Sequence, residues 1–187
     1  AAISGSGNIC LGATTTLADA TPGGLWSSSN TAIATITGTG LVTGMAGGVD
    51  SIFYTDPSTG CRATLPVNVI QLMPGTGDSS LCAWNDTVSA FNSYPGGLFM
   101  SSLVTVTNLG GGAALVYGHA PGIATLTYVI PAGCSITRLL TVNALPESIT
   151  GNYHLCLGSA STLYDATPGG AWSSSAGQAG SILGPVI

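Results

Sequence analysis

The sequence predicts an all-β fold made of tandem β-sandwich domains, two complete and one partial. Three observations lead to this prediction. A long motif recurs at a fixed spacing, short runs of β-branched and aromatic residues alternate with turns rich in Gly and Pro, and no stretch has the composition of a two-turn helix. Short strands separated by frequent turns are typical of sandwiches and barrels.

The repeat fixes the domain organisation. Residues 10–29 return with few changes as residues 156–175, and a diverged copy lies between them. The prolines of the three Pro-Gly-Gly turns, Pro22, Pro95 and Pro168, are 73 residues apart. This period is too long for a solenoid turn and suits a small independent domain. We therefore predict a first domain, a diverged second domain and a partial third domain at residues 1–71, 72–144 and 145–187.

Within the first copy, five short runs are predicted as strands because they are rich in β-branched or aromatic residues. They are residues 14–17, 25–28, 33–37, 51–55 and 63–70. Turn signals of Gly, Pro, Asp and Thr separate them. These turns are residues 21–24, 37–40, 46–48 and 56–60.

The composition excludes several classes of protein. Charged residues make up 5% of the chain, and the formal net charge is −5. The two basic residues are Arg62 and Arg138, and there is no lysine. Nucleic-acid binding needs clustered basic residues, so such a partner is excluded. No apolar run approaches the roughly 18–20 residues of a membrane-spanning helix. The chain is also too poor in charge and too rich in β-branched residues to be disordered.

Four short motifs of the first copy resemble the bacterial Ig-like domain of group 2, the module repeated in intimin- and invasin-type surface proteins. They are Trp26-Ser-Ser-Ser-Asn30, Ile33-Ala-Thr-Ile36, Gly40-Leu-Val-Thr-Gly44 and Ala46-Gly-Gly48. The resemblance weakens over residues 72–144, where Phe99 replaces Trp26. It implies a small two-sheet sandwich in a secreted or surface-anchored bacterial protein, commonly one of many copies in a row.

Four of the five cysteines recur at equal spacing. Cys10 and Cys61 are 51 residues apart, and Cys82 and Cys134 are 52 apart. Equal spacing in two copies of one fold predicts equal positions, so we pair Cys10 with Cys61 and Cys82 with Cys134, which indicates an oxidising compartment. The alternatives are buried free thiols and, with less support, zinc ligands, since no Cys-x-x-Cys occurs.

Cys156 is left without a partner by this pairing. Its counterpart in the repeat would lie near position 207, so either the polypeptide continues or another chain completes the last copy. Half a sandwich exposes an apolar face and unpaired strand edges, which favours pairing with a neighbouring strand. The start, Ala1-Ala2-Ile3, has no Met, and we expect a targeting sequence to have been removed.

Two groups of polar residues are candidate sites. Asp19 and Asp165 precede the Pro-Gly-Gly turns of the first and last copies, and Asn92 stands at this position in the middle copy. They could bind calcium, but a turn-holding side chain is favoured because Asn weakens a cation site and suits a turn. His119 and His154 do not recur in the repeat and lie in no catalytic motif, so we expect surface histidines.

The aromatic residues divide in the same way. Trp26 and Trp172 share one position of the repeat with Phe99, which favours a core role over sugar binding. Trp84 has no counterpart and is the better candidate for an exposed tryptophan.

Three residues are candidate glycosylation positions. Ser51 and Thr87 follow aspartates in the Asp-Ser/Thr-apolar pattern of bacterial O-glycosylation, and Asn85 begins an Asn-x-Thr sequon. Attached sugars would hydrate a surface that has very little charge.

These observations favour an extracellular structural repeat protein that forms a cell-surface stalk or a self-associating fibre. The alternatives are an adhesin that binds a host, surface or glycan ligand, and an accessory module of a secreted enzyme. We expect no catalytic residue, cofactor or metal, and the expected partners are further copies of the chain.

Overall fold

The computed structural model describes residues 1–84 and 86–175. These residues form β-strands, turns and loops and contain no helix, so none of them forms a helix that could span a membrane. The predicted all-β class is confirmed. Within the described residues, seventeen strands follow one another: β1 (Asn8–Cys10), β2 (Thr14–Thr16), β3 (Leu25–Ser28), β4 (Ala34–Ile36), β5 (Leu41–Gly44), β6 (Gly48–Thr55), β7 (Arg62–Ile70), β8 (Thr76–Gly77), β9 (Ser80–Cys82), β10 (Thr87–Phe91), β11 (Leu98–Met100), β12 (Val104–Gly110), β13 (Ala113–Gly118), β14 (Gly122–Val129), β15 (Ser135–Asn143), β16 (Thr150–Gly151) and β17 (Leu163–Tyr164).

The first module, β1 to β7, is a sandwich of two sheets with the orders β1-β7-β6-β3 and β2-β5-β4. Strands β6 and β7 form a long antiparallel hairpin, and β1 pairs in parallel with the end of β7. Apolar side chains that alternate along these strands point between the sheets. The core consists of Ile9, Leu17, Ala34, Val42, Ile52, Val67 and Val69.

The second module, β8 to β15, repeats this topology with the sheet orders β11-β14-β15-β9 and β12-β13-β10-β8, in which β8 is an added edge strand. Strand β9 pairs in parallel with the end of the last strand, β15, just as β1 pairs with β7 in the first module. Its core continues into the first module, because Ile70 belongs to it and Cys10 and Leu72 pack against it. Residues Ala1–Asn143 accordingly form one compact unit.

The remaining unit, Ala144–Ile187, begins a third copy. Strands β16 and β17 pair antiparallel, with Thr150 opposite Tyr164 and Gly151 opposite Leu163. In the second module β8 pairs with β10 in the same way. The described part of this unit contains no further strand.

The predicted cysteine pairing is wrong. Cys10 is bonded to Cys134, while Cys61, Cys82 and Cys156 are free thiols. Cys10 lies beside Ile70 at the end of the nine-residue strand β7, and Cys61 precedes its start. At roughly 3.3 Å per residue that strand is about 30 Å long, far beyond the reach of a disulfide.

The same geometry separates Cys82 from Cys134. Cys82 lies beside Asn143 at the end of β15, and Cys134 precedes the start of that strand. Equal spacing therefore did mean equal positions, but these positions are opposite ends of each sandwich. The bond consequently forms between modules.

Candidate functional site

The junction between the two modules is closed by the bond between Cys10 and Cys134, whose Cα atoms are 5.5 Å apart. Cys134 is only 4% exposed and belongs to the core of the second module. Ile70 at the end of the first module belongs to the same cluster, and Leu72, just after it, packs against that cluster. A covalent bond and an apolar contact thus join the modules at one place.

Polar contacts hold the segment that links the modules. The side-chain amide of Asn92 donates to the carbonyl oxygen of Met73 at 3.0 Å, and Asn92 itself is buried. The guanidinium group of Arg138 donates to the carbonyl oxygens of Gly75 and Gly77. Arg138 therefore fixes the end of the linker and the short strand β8 that follows it.

The opposite end of the first module carries the free thiol of Cys61 beside an open cleft. The cleft has a volume of about 340 Å³. Its polar lining includes the carboxylates of Asp19 and Asp56 and the guanidinium of Arg62. Among the described residues, no three His, Cys, Asp or Glu side chains are grouped so that they could hold a metal ion.

The Asp and Asn residues before the Pro-Gly-Gly turns hold those turns, as predicted. The Oδ1 atom of Asp19 accepts a hydrogen bond from the amide of Thr21 at 2.8 Å, and Asp165 accepts one from Thr167 at 2.7 Å. In the middle copy, Asn92 accepts one from the amide of Tyr94. The bond from the Thr21 amide also lowers the pKa of Asp19, partly opposed by desolvation.

Two tyrosines that the sequence analysis did not single out complete these turns. The hydroxyl of Tyr54 accepts from the amide of Gly24 at 2.9 Å and donates to the carbonyl of Thr21 at 2.6 Å. Tyr128 makes the same two bonds in the second module, to Gly97 and Tyr94. Their recurrence just before the turn of the long hairpin of each copy is the signal that would have identified them.

A buried carboxylate was also missed. Asp50 is 2% exposed and accepts hydrogen bonds from the hydroxyls of Ser28 and Ser29 and from the amide of Asn30. Asp50 lies on β6, and the chain has only seven acidic residues. A rare acidic residue inside a predicted strand is the signal that would have identified it. Asp50 is therefore a structural acceptor that fixes the segment after β3.

The predicted exposure of Trp84 is confirmed, since 63% of its surface is accessible. Its φ of 63° is left-handed, and it is the sole non-glycine residue with positive φ in the described part of the chain. The other copies have glycine here, Gly12 and Gly158, with φ values of 77° and 81°. A left-handed conformation costs a non-glycine residue about 1–2 kcal/mol, so a bulky residue here needs a reason.

Trp84 belongs to a small cluster that we call the Trp84 patch, formed with Thr105, Tyr117 and His119. The rings of Trp84 and His119 meet edge to face with centroids 5.4 Å apart, and those of Tyr117 and His119 at 4.9 Å. The Tyr117 hydroxyl donates to the Trp84 carbonyl at 2.8 Å. His119 Nε2 shares a hydrogen bond with the Thr105 hydroxyl, which occupies that nitrogen.

The other aromatic and histidine candidates have plainer surroundings. Phe99 is buried in the second core, and Trp26 packs against the first, which confirms the predicted core role for these two. Trp172 is half-buried in the last unit and lies outside both cores. His154 is exposed, and its amide donates to the side chain of Asn152.

The candidate glycosylation positions differ in access. Thr87 is exposed at the start of β10, next to the exposed Asp86. Ser51 lies half-buried within β6, and the preceding Asp50 is buried, so the folded module hides this motif. Asn85 lies outside the described residues. Glycosylation of all three stays a prediction.

The two modules have seven and eight strands. In each module one parallel strand pair, β1 with β7 or β9 with β15, completes a four-stranded sheet. This arrangement defines tandem Ig-like β-sandwiches. Residues 2–64, which span most of the first module, match the bacterial Ig-like domain (group 2). Together with the disulfide, this match points to an extracellular or cell-surface protein.

Solved structures with similar β-domains have low sequence identity. The S-layer protein rSbsC(31-844) is 18% identical over 86% of this chain, and extracellular domains 3–5 of Drosophila OTK are 15% identical over 74%, with TM-scores of 0.31 and 0.37. The mixed-linkage glucan utilization locus protein SGBP-B of Bacteroides ovatus is 14% identical over 80%, with a TM-score of 0.31. These similarities carry no argument about function.

This chain covers 27% of rSbsC(31-844), 58% of the OTK fragment and 46% of SGBP-B. It covers 21% of the structure of surface layer protein SbsC, domains 1-6. No curated protein matches the sequence.

Proposed function

We propose that this chain is a structural repeat of an extracellular stalk or self-associating fibre and has no catalytic activity of its own. The observation that carries the proposal is the covalent junction, because Cys10 and Cys134 tie one module to the next. A bond between modules restricts bending at the place where tandem domains otherwise move. Such a restriction suits a load-bearing or spacing element.

The outer face of the second module supports self-association. Leu98, Met100, Ile123 and Leu139 lie on the sheet β11-β14-β15-β9 and are each at least half exposed. With 5% charged residues in the chain, few ionic groups surround them. An apolar face of this kind favours contact with a second copy, and that contact should persist at high salt.

Sedimentation of a variant with Cys61, Cys82 and Cys156 replaced by serine tests the fibre, because only noncovalent contacts then remain between copies. We expect concentration-dependent association at micromolar protein in both low and high salt, and filaments in electron micrographs. The matched control carries Ile123→Lys and Leu139→Lys, which place charges on the apolar face. A monomer in both salts would contradict the fibre and leave a stalk.

The Trp84 patch supports a second candidate function, adhesion to a glycan. Trp84 keeps a strained backbone where the other copies have glycine, and an exposed aromatic face beside hydroxyl groups suits the apolar faces and hydroxyls of a sugar. Trp84→Gly restores the residue of the other copies, and we expect it to preserve the fold because glycine adopts this φ readily. Titration calorimetry with soluble oligosaccharides should show binding by the natural chain and its loss in Trp84→Gly. Absence of any binding heat with the natural chain would contradict this function.

A further inference from the structure

We propose that the outer face of the sheet β12-β13-β10-β8 binds an extended chain of neutral sugars, which runs from the Trp84 patch to Phe91. This proposal rests on glycan binding by the Trp84 patch, the second candidate function, and adds the class and the length of the glycan. Three features carry it: the register of the sheet, the free hydroxyls on its outer face, and aromatic residues that the first module lacks.

The outer face of this sheet is uncharged. Buried and accessible side chains alternate along its strands, and the buried ones belong to the core of the second module: Val88, Ala90, Val104, Ala114 and Val116. The residues between them point away from that core: Thr87, Ser89, Phe91, Thr105, Thr107, Leu115 and Tyr117. None of these outward residues carries a charge.

The register across three strands arranges most of these side chains in two rows, Thr87–Tyr117–Thr105 and Ser89–Leu115–Thr107. In each row an aromatic or aliphatic side chain on β13 has a hydroxyl on either side. A sugar ring has the same division, with C–H groups on its faces and hydroxyls around its edge. The rows therefore match a sugar that lies with one face on β13.

The apolar stripe of this face is longer than one sugar ring. Phe91 is paired with Ala113, four residues from Tyr117 along β13, which is about 13 Å at roughly 3.3 Å per residue. Phe91 is 48% exposed and Leu115 39%. Trp84 lies past the other end, where its amide donates to the carbonyl of Gly118. A stripe of this length suits a chain of sugars rather than a single terminal one.

The first module has the same sheet without the rings. Trp84, Phe91, Tyr117 and His119 occupy the positions of Gly12, Ala18, Thr43 and Met45. The pairing establishes two of these equivalences, because Thr14 faces Thr43 as Thr87 faces Tyr117, and Ser4 faces Ala18 as Thr76 faces Phe91. Since the first sandwich forms without them, the four rings are not required by the fold. All four lie on the face that we assign to the sugar chain.

The charges of the chain favour a neutral glycan. An anionic glycan is held by arginine or lysine side chains. Arg62 lies over the ring of Phe53 in the first module, and Arg138 donates to the carbonyls of Gly75 and Gly77. The exposed carboxylate of Asp86, next to Thr87, would repel an anion.

The hydroxyls of this face favour a sugar over a second copy of the chain. Hydrogen bonds within the described residues engage the hydroxyls of Thr105 and Tyr117 but not those of Thr87, Ser89 and Thr107. An apolar protein surface would bury these three without partners, which is costly. A sugar chain brings its own hydroxyls to them while its C–H groups cover the stripe.

Titration calorimetry of the full chain tests this proposal with neutral β-linked oligosaccharides of glucose, mannose and xylose, each with two and with six sugars. In at least one series the six-sugar chain should bind about tenfold more tightly than the two-sugar one, because only the longer chain reaches both Trp84 and Phe91. An oligosaccharide of six galacturonic acids is the anionic control and should not bind.

Two variants shorten the stripe. Phe91→Ala, which introduces the residue of the first module, should weaken the six-sugar chain about tenfold and leave the two-sugar one unchanged. Leu115→Ser should do the same. Trp84→Gly should weaken both. Leu98→Ala is the matched control, since Leu98 is 54% exposed on the other sheet, and it should change neither. Unchanged melting temperatures verify that the variants have folded.

Equal affinity for two and six sugars would overturn the extended chain and leave glycan binding by the Trp84 patch standing. Phe91→Ala and Leu115→Ser that both bind the long chain normally would have the same meaning. Binding of the galacturonic acid chain would overturn the neutral class. Absence of binding heat with every series would contradict the second candidate function as well. If these two variants instead reduce self-association in sedimentation and leave sugar binding unchanged, a second copy covers this face.

Discussion

Cys10 is bonded to Cys134, 124 residues further along the chain, and the bond joins two different β-sandwiches. Strand β1 of the first module ends where the hairpin of strands β14 and β15 in the second module turns. This relationship makes the junction between the first two modules covalent, and it leads to the first prediction.

Cys10→Ser should destabilise the Ala1–Asn143 unit by about 4–5 kcal/mol, the chain-entropy contribution of a closed loop of this length. Urea unfolding of the full chain, with no reductant, measures the loss. Cys61→Ser is the matched control, because its thiol is free in the monomer and its removal should change little. Equal losses in both variants would contradict the assigned pairing.

Tyr54→Phe and Tyr128→Phe should each lower the free energy of unfolding by about 1–3 kcal/mol. Each change removes the hydroxyl that accepts from a turn glycine and donates to a backbone carbonyl. Thermal or urea unfolding measures the effect. Tyr164→Phe is the control, since Tyr164 is largely exposed, and a comparable loss there would show that the turn contacts do not stabilise the modules.

Gly40→Ala should cost at least about 2 kcal/mol, because Gly40 has a φ of +82° and an added Cβ would lie 2.2 Å from the carbonyl oxygen of Leu17. Gly38, in the same turn, has open space around a Cβ and no positive φ. Gly38→Ala should therefore change the free energy of unfolding by less than about 0.5 kcal/mol. Similar effects at both positions, measured by urea unfolding, would rule out this account of the turn.

Asp56 should contribute stability that depends on pH. Hydrogen bonds from the hydroxyl and amide of Ser58 and the hydroxyl of Thr59 lower the pKa of Asp56. A lowered pKa means that this contribution is fully present above the unfolded value of about 3.9 and is lost as the pH falls through the folded value. The stability gap between the natural chain and Asp56→Asn should thus narrow below about pH 4. Ser58→Ala, which removes a main donor, should shrink the gap at neutral pH.

Asp19→Asn should preserve the fold, because Asn92 holds the equivalent turn in the second module with the same hydrogen bond. We also expect EDTA to leave the melting temperature of the natural chain unchanged. A fall of several degrees with chelator that Asp19→Asn abolishes would instead assign a cation to this turn.

Much of the fold was determined by the sequence alone. The recurrence of the Pro-Gly-Gly motif and the alternation of β-branched residues predicted tandem sandwiches, since both signals are local and depend on turn geometry and on side chains that point to alternate faces. The Asx-type role of Asp19 and the exposure of Trp84 were predicted for the same reason. A turn contact spans two residues, and Trp84 stood outside the repeated pattern.

Only the tertiary structure decided which cysteines meet. Equal spacing placed Cys10 and Cys61 at fixed positions in each module but could not say that these positions are opposite ends of β7. That depends on the parallel pairing of β1 with the end of β7, a contact between strands about sixty residues apart that leaves no local signal. The pairing of Tyr54 with the turn at Gly24 and the burial of Asp50 were decided in the same way, by packing between distant segments.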